Sequence, residues 1–124
     1  MCFYIHEKHQ YKKIAKRDIT CYKAINLTNK DNIFRSVFQN FKYIMGGIYK
    51  TYLSEPKRIG YSIPDLDVEF EINNGFHSYS NKKAVEHDNY PPYVRCIIPK
   101  GSEYYYNPEK MEYVSNQIII KEII

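Results

Sequence analysis

Apolar and acidic residues alternate through Val68-Glu69-Phe70-Glu71-Ile72, and this period of two predicts a half-exposed strand. Asn73-Asn74-Gly75 then supplies a turn that ends it. A mixed but strand-like pattern runs from Ile19 to Ile25, with a loop expected over Asn26 to Asn32. Between Ile33 and Tyr52 two periods compete. Phe34, Val37, Phe38 and Phe41 have helical spacing, so a short helical turn is expected before Gly46-Gly47 and a strand after them. Leu53 to Asp65, with two prolines and a glycine, is expected to be loop. Ser80 is placed to cap a short helix over Asn81 to Glu86, and Asp88 to Pro92 has turn chemistry.

Three further strands are expected: Tyr93 to Ile98, Glu103 to Tyr106 after the Pro99-Lys100-Gly101-Ser102 turn, and Val114 to Ile123 after Asn107-Pro108. The run Ile118-Ile119-Ile120 predicts that the last lies centrally, covered on both faces. Residues Met1 to Lys16 show no clear period. The pattern therefore predicts an irregular N-terminal arm over 1–18, starting with a short edge strand, and a small α+β domain over 19–124. Its sheet is expected to be mainly antiparallel, with one or two short helices.

Composition changes this picture in three ways. At 124 residues there is room for one domain with its own core. The apolar content is weighted toward tyrosine, with 14 Tyr, 6 Phe and no Trp. Tyrosine has an apolar body and a polar tip, so it suits half-buried strands, pocket walls and interfaces. The net charge of +4 is too mild for the dense basic face of a duplex-binding protein. Lys8, Lys12, Lys13, Lys16 and Arg17 gather near the N-terminus, a cluster that reads as a solvated face.

Cys2, Cys21 and Cys96 form no spaced pair, so reduced, metal-free thiols in a cytoplasmic protein are expected. No apolar run is long enough to suggest a signal peptide or a membrane span. Cys2, His6, His9 and Cys21 are zinc-ligand types, yet no Cys-x-x-Cys element anchors them. Pro99-Lys100-Gly101-Ser102 lacks the glycine spacing of a phosphate loop and reads as a plain turn. Lys42-Tyr43 and Tyr49-Lys50-Thr51-Tyr52 interleave bases with aromatics, but tyrosine is too common here for that to be specific.

The segment Phe76-His77-Ser78-Tyr79-Ser80 places an imidazole, hydroxyls and a phenol just beyond a strand end. Such groups can hydrogen-bond ribose or amide functions and stack a ring. The same residues can equally pack the turn while Ser80 caps the helix. Both readings stand on the residues alone.

Tyr22-Lys23-Ala24, Gly47-x-Tyr49, Gly75-Phe76-His77-Ser78-Tyr79, Ile98-Pro99-Lys100-Gly101-Ser102 and Val114-Ser115-Asn116-Gln117-Ile118 occur in this order. The set resembles small phage and gut-bacterial proteins that share a Gly-Phe-His-Ser turn and a late Ile-Pro-x-Gly strand. More distantly, the order of elements resembles the ADP-ribosyltransferase fold. That resemblance implies Lys23 near the dinucleotide-holding Arg, Ser78-Tyr79-Ser80 near the Ser-Thr-Ser strand, and Gln117 near the catalytic Glu. A neutral amide cannot stabilise an oxocarbenium-like transition state by charge. The resemblance therefore implies a pocket without the reaction.

The expectation is a non-catalytic protein binding a nucleotide-like small molecule at Tyr22, Lys23, Phe76, His77, Ser78 and Tyr79, with no cofactor. The resemblance extends this to a phage anti-defence protein that sequesters a host signalling nucleotide such as an ADP-ribose derivative. No membrane partner is expected, nucleic acid is disfavoured, and a homo-oligomer is compatible. Two alternatives remain open. One is a divergent ADP-ribosyltransferase-like enzyme using Glu112 or Glu103; the other is an interaction module with a tyrosine-rich surface.

Overall fold

The computed structural model describes residues 3–27, 33–36, 42–44, 46–62 and 67–124. Segments rich in tyrosine and β-branched residues form strands, as their pleat-filling side chains favour. In chain order these are β1 (Phe3–His6), β2 (Lys13–Ile14), β3 (Ile19–Leu27), β4 (Ile33–Ser36), β5 (Lys42–Ile44), β6 (Ile48–Lys50), β7 (Lys57–Ser62), β8 (Asp67–Ile72) and β9 (Phe76–Tyr79). The helix α1 (Lys82–Asp88) follows, then β10 (Tyr93–Ile98), β11 (Glu103–Asn107), β12 (Glu112–Ser115) and β13 (Gln117–Ile123). A single 3-10 turn, Glu7–His9, links β1 to β2.

The pairings among the described residues are antiparallel. A large sheet runs β2-β11-β12-β9-β3-β10-β13-β6, with β4 and β5 added beside β3, and a small sheet runs β1-β8-β7. Among the described residues, the α contribution to the expected α+β arrangement is one short helix on a β-dominated fold.

Alternation divides the large sheet into two faces, each with its own core. On one face Cys21, Ile25, Phe76, Val94, Cys96, Ile98, Ile118 and Ile120 pack together, with Ile19, Tyr49 and Tyr113 at the margin. On the other, Tyr105 and Val114 meet Phe3, Ile5 and Ile72 of the small sheet, while Ala24, Tyr79 and Tyr93 are covered by Val85 of α1. The segment 1–18, expected as an irregular arm starting with an edge strand, supplies β1 at the edge of the small sheet and β2 at the edge of the large one. Phe3 and Ile5 are core residues.

Several elements differ from the pattern-based expectation. Phe76–Tyr79 is a strand in the sheet interior, between β12 and β3, because Gly75 turns the chain straight back into pairing. Lys57–Ser62 is a strand, carried by backbone pairing with β8 and a register shift between Arg58 and Gly60. Ile33–Ser36 pairs with β3 and β5, so cross-strand bonding overrides the helical spacing there; residues 37–41 of the expected helical turn lie outside the described residues. The N-cap of α1 is Asn81, whose Oδ1 accepts from Ala84 N at 2.8 Å. Ser80 lies one residue too early for a helix that starts at Lys82, and its amide is paired with Met111 O.

The strand expected over Val114 to Ile123 is split at Asn116. There the backbone bonds Glu103 O and Thr51 N, and the side chain accepts from Glu103 N at 2.9 Å. β13 itself lies between β10 and β6, with Ile118 and Ile120 fully buried. Among the described residues no helix is long and apolar enough to cross a membrane.

Candidate functional site

Register brings most of the expected corner together. Tyr113 lies opposite Ser78, Tyr22 opposite Tyr79, and Cys21 opposite Cys96, so Lys23, Ser78, Cys21 and Cys96 share the face that carries Phe76. Lys23 is buried, and its Nζ donates to the His77 carbonyl. Phe76 packs in the core of that face, and Ser78 is buried. Tyr79 lies on the opposite face under α1, with Tyr22 beside it, and its hydroxyl accepts from Asn89 Nδ2 at 3.3 Å. His77 faces the small sheet, its ring set edge-on to Phe3 at 5.9 Å. The six residues are neighbours, but they are distributed over two faces of one sheet.

The electrostatics of this seam are those of an enclosed polar group. Burial lowers the Lys23 pKa, against the pull of the Cys96 and Cys21 sulfurs. Burial pushes the Cys96 thiol well up, and its contact with Cys21 adds to the rise. Burial acts upward on Cys21 as well, yet the hydrogen bond with Cys96, the Ser78 hydroxyl and the Lys23 charge leave that thiol lowered. Burial, followed by the Lys23 charge, takes the His77 imidazole down to about 3. His77 Nε2 and the hydroxyls of Ser78 and Ser80 are buried without a well-formed hydrogen bond.

A second region is open. A groove of about 690 Å³ is lined by Lys13, Ile14, Lys16, Arg17, Asp18, Ile19, Tyr104 and Tyr113. Its rim is the β2–β3 connection, which is fastened to the turn after β10. Ala15 N donates to Ser102 O and Gly101 N to Ala15 O, both at 2.8 Å, and Asp18 Oδ1 accepts from Lys100 N at 2.9 Å. Ala15 is buried, so the exposed basic residues on either side are held from below.

The opposite wall is aromatic. Tyr104 and Tyr113 meet edge-on at 5.8 Å, and Tyr106, cross-strand partner of Tyr113, extends the set with ring centroids 4.8 Å apart. Burial and the neighbouring Tyr106 push the Tyr113 phenol up to about 12, so it stays a neutral donor. No family model, curated protein or solved structure matches this chain. The case for a site therefore rests on its own geometry.

That geometry distinguishes members of the N-terminal basic cluster. Lys12 is engaged with Glu103 at 3.4 Å and Glu55 at 3.8 Å. Lys13, Lys16 and Arg17 make no ion pair among the described residues and border the groove. Tyr104, Tyr113 and Ile19 were not singled out by sequence. The signal available was the alternation Tyr104-x-Tyr106, which sets two phenols on one face.

The positions implied by the ADP-ribosyltransferase resemblance are spread apart. Val94 pairs with both Lys23 and Ile123, which puts Gln117 six residues along β13 from the Lys23 row, roughly 20 Å at the rise of a strand. Glu112 pairs with Tyr79, so alternation sets it on the face opposite Ser78 and Lys23. Glu103 is taken up by Lys12. Of the zinc-type set, Cys2 lies outside the described residues, the His6 and His9 rings are 6.4 Å apart, and Cys21 is in the core. Among the described residues no group of three or more His, Cys, Asp or Glu could hold a metal ion.

Proposed function

We propose that this protein binds a nucleotide-like small molecule without transforming it, and that the ligand occupies the groove between the 13–18 rim and Tyr104 and Tyr113. One observation carries the reading: three cations with no ion pair among the described residues stand on a backbone-fastened rim, in a cleft of ligand size that two tyrosine rings also line. Stacking on a phenol is sequence-tolerant for any base, and a guanidinium and two ammonium groups suit phosphate oxygens. Fastening the rim lowers the ordering cost on binding. Tyr113 lies opposite the buried Ser78 and packs against the core that contains Cys21. The finer reading, a phage protein that sequesters a host ADP-ribose derivative, rests on the sequence resemblance, and its cytoplasmic placement on the unpaired spacing of the cysteines.

Calorimetric titration of ADP-ribose and adenosine nucleotides against the wild type and Tyr113→Ala tests this. Saturable binding that weakens by about tenfold or more in Tyr113→Ala is expected, since base–aromatic stacking is worth about 1–3 kcal/mol per base. Equal affinity in the two proteins would remove the groove from consideration.

A further inference from the structure

Resting on that reading, we propose that the groove selects ligands whose phosphate end carries two negative charges, a phosphomonoester or a pyrophosphate, over singly charged cyclic phosphodiesters and neutral nucleosides. The rim supplies Lys13, Lys16 and Arg17 against one carboxylate, Asp18. Asp18 is turned toward the Lys100 amide, where its Oδ1 is held at 2.9 Å. Its role there is to fix the loop, and the remaining rim charge is close to plus two.

A dianion matches that excess, whereas a monoanion leaves one cation without a counterpart. Lys12, beside this rim, is already occupied by Glu55 and Glu103. Arg17 can donate to two phosphate oxygens from its fork while the lysines act as point charges. Tyr113 stays protonated, with its phenol pushed up to about 12, and adds no negative charge to the wall. At an exposed rim one further charge–charge contact at about 4 Å is worth about tenfold or more in affinity.

The experiment compares adenosine, 3′,5′-cyclic AMP, AMP, ADP-ribose and ribose 5-phosphate by calorimetry on the full chain. AMP and ADP-ribose should bind at least about tenfold more tightly than cyclic AMP, and adenosine more weakly still. Arg17→Gln and Lys16→Gln should each shrink the AMP to cyclic AMP ratio toward one while melting temperatures stay put. AMP affinity should fall as pH drops below about 6, where the monoester dianion takes up one proton and becomes a monoanion, and ADP-ribose affinity should not.

If cyclic AMP binds as tightly as AMP, the charge selection is wrong although nucleotide binding stands. If ribose 5-phosphate matches AMP, the charge selection stands and the stacked ring of the proposed function is wrong. If none of the five binds, both are overturned.

Discussion

Two regions of this molecule set basic side chains beside tyrosine and polar groups, and they differ in access to water. Around Lys23 the amine, thiols and hydroxyls are sealed inside the sheet, and the amine is taken up by a backbone carbonyl. Around Arg17 the cations stand in solvent on a fastened loop opposite two phenols. A buried polar group has to find its partners within the protein, so it serves the fold; an exposed cation with no protein partner is available to a ligand. The lesson is that residue type alone suggests chemistry in both places, while burial separates them.

The largest expected effects come from breaking the sealed region. Lys23→Ala removes a long stem from the interior and should lower stability by about 2–4 kcal/mol, measured by urea denaturation. Lys23→Met keeps the stem and drops the charge, so it should lie within about 1 kcal/mol of wild type. A Met variant as damaging as the Ala variant would show that the amine itself, not the stem, holds the seam. Gly75→Ala belongs in the same class. Gly75 has φ +152, and a Cβ there would collide with the Val114 side chain and approach Leu53 Cδ1 at 2.8 Å. A loss of about 1–3 kcal/mol is expected, read from the same denaturation curves.

A pH series sharpens the contrast. His77 is held neutral in the fold, with its pKa lowered from 6.5 to about 3. Between those values the unfolded chain binds a proton that the folded chain refuses. Stability should therefore be fully present above about 6.5 and decline progressively as pH falls toward about 3. His77→Leu should flatten this decline in urea midpoints across the acid range; an unchanged slope would mean that another group governs it. Smaller again is the helix cap: Asn81→Ala should cost about 1 kcal/mol in thermal melts, and Ser80→Ala much less. The smallest expected changes in stability are at the groove rim, where Lys16→Ala and Arg17→Ala should each stay within about 0.5 kcal/mol.

How much of this was legible depended on whether a residue's neighbours were local. β10 could be read because apolar residues flank Arg95 between Pro92 and Pro99, and β13 because Ile118 to Ile120 is strand-like, although only the face of Ile118 and Ile120 is buried and Ile119 on the other face is half-buried. β7 could not, since its Lys57-Arg58-Ile59-Gly60 start lacks alternation and its strand character comes from backbone bonds to β8. β9 was hidden in the turn chemistry that precedes it, and four residues with two adjacent polar groups in the middle give little pattern.

The corner around His77 was visible as a concentration of functional types. Its enclosure was not, because that follows from β12 and β3 pairing on either side. The groove was half legible. The basic cluster stood out, but its aromatic wall comes from positions some ninety residues later, brought opposite by the fastening of Ala15 to Ser102.

The most direct test of the division between the two regions is one calorimetric comparison, with melting curves in parallel. AMP and ADP-ribose are titrated into wild type, Lys23→Met, and the double variant Lys16→Ala, Arg17→Ala. Lys23→Met is expected to bind like wild type, while the double variant keeps its melting temperature and loses affinity by about tenfold or more. Binding abolished by Lys23→Met in a folded protein, together with wild-type affinity in the double variant, would contradict that division and return the ligand to the enclosed seam.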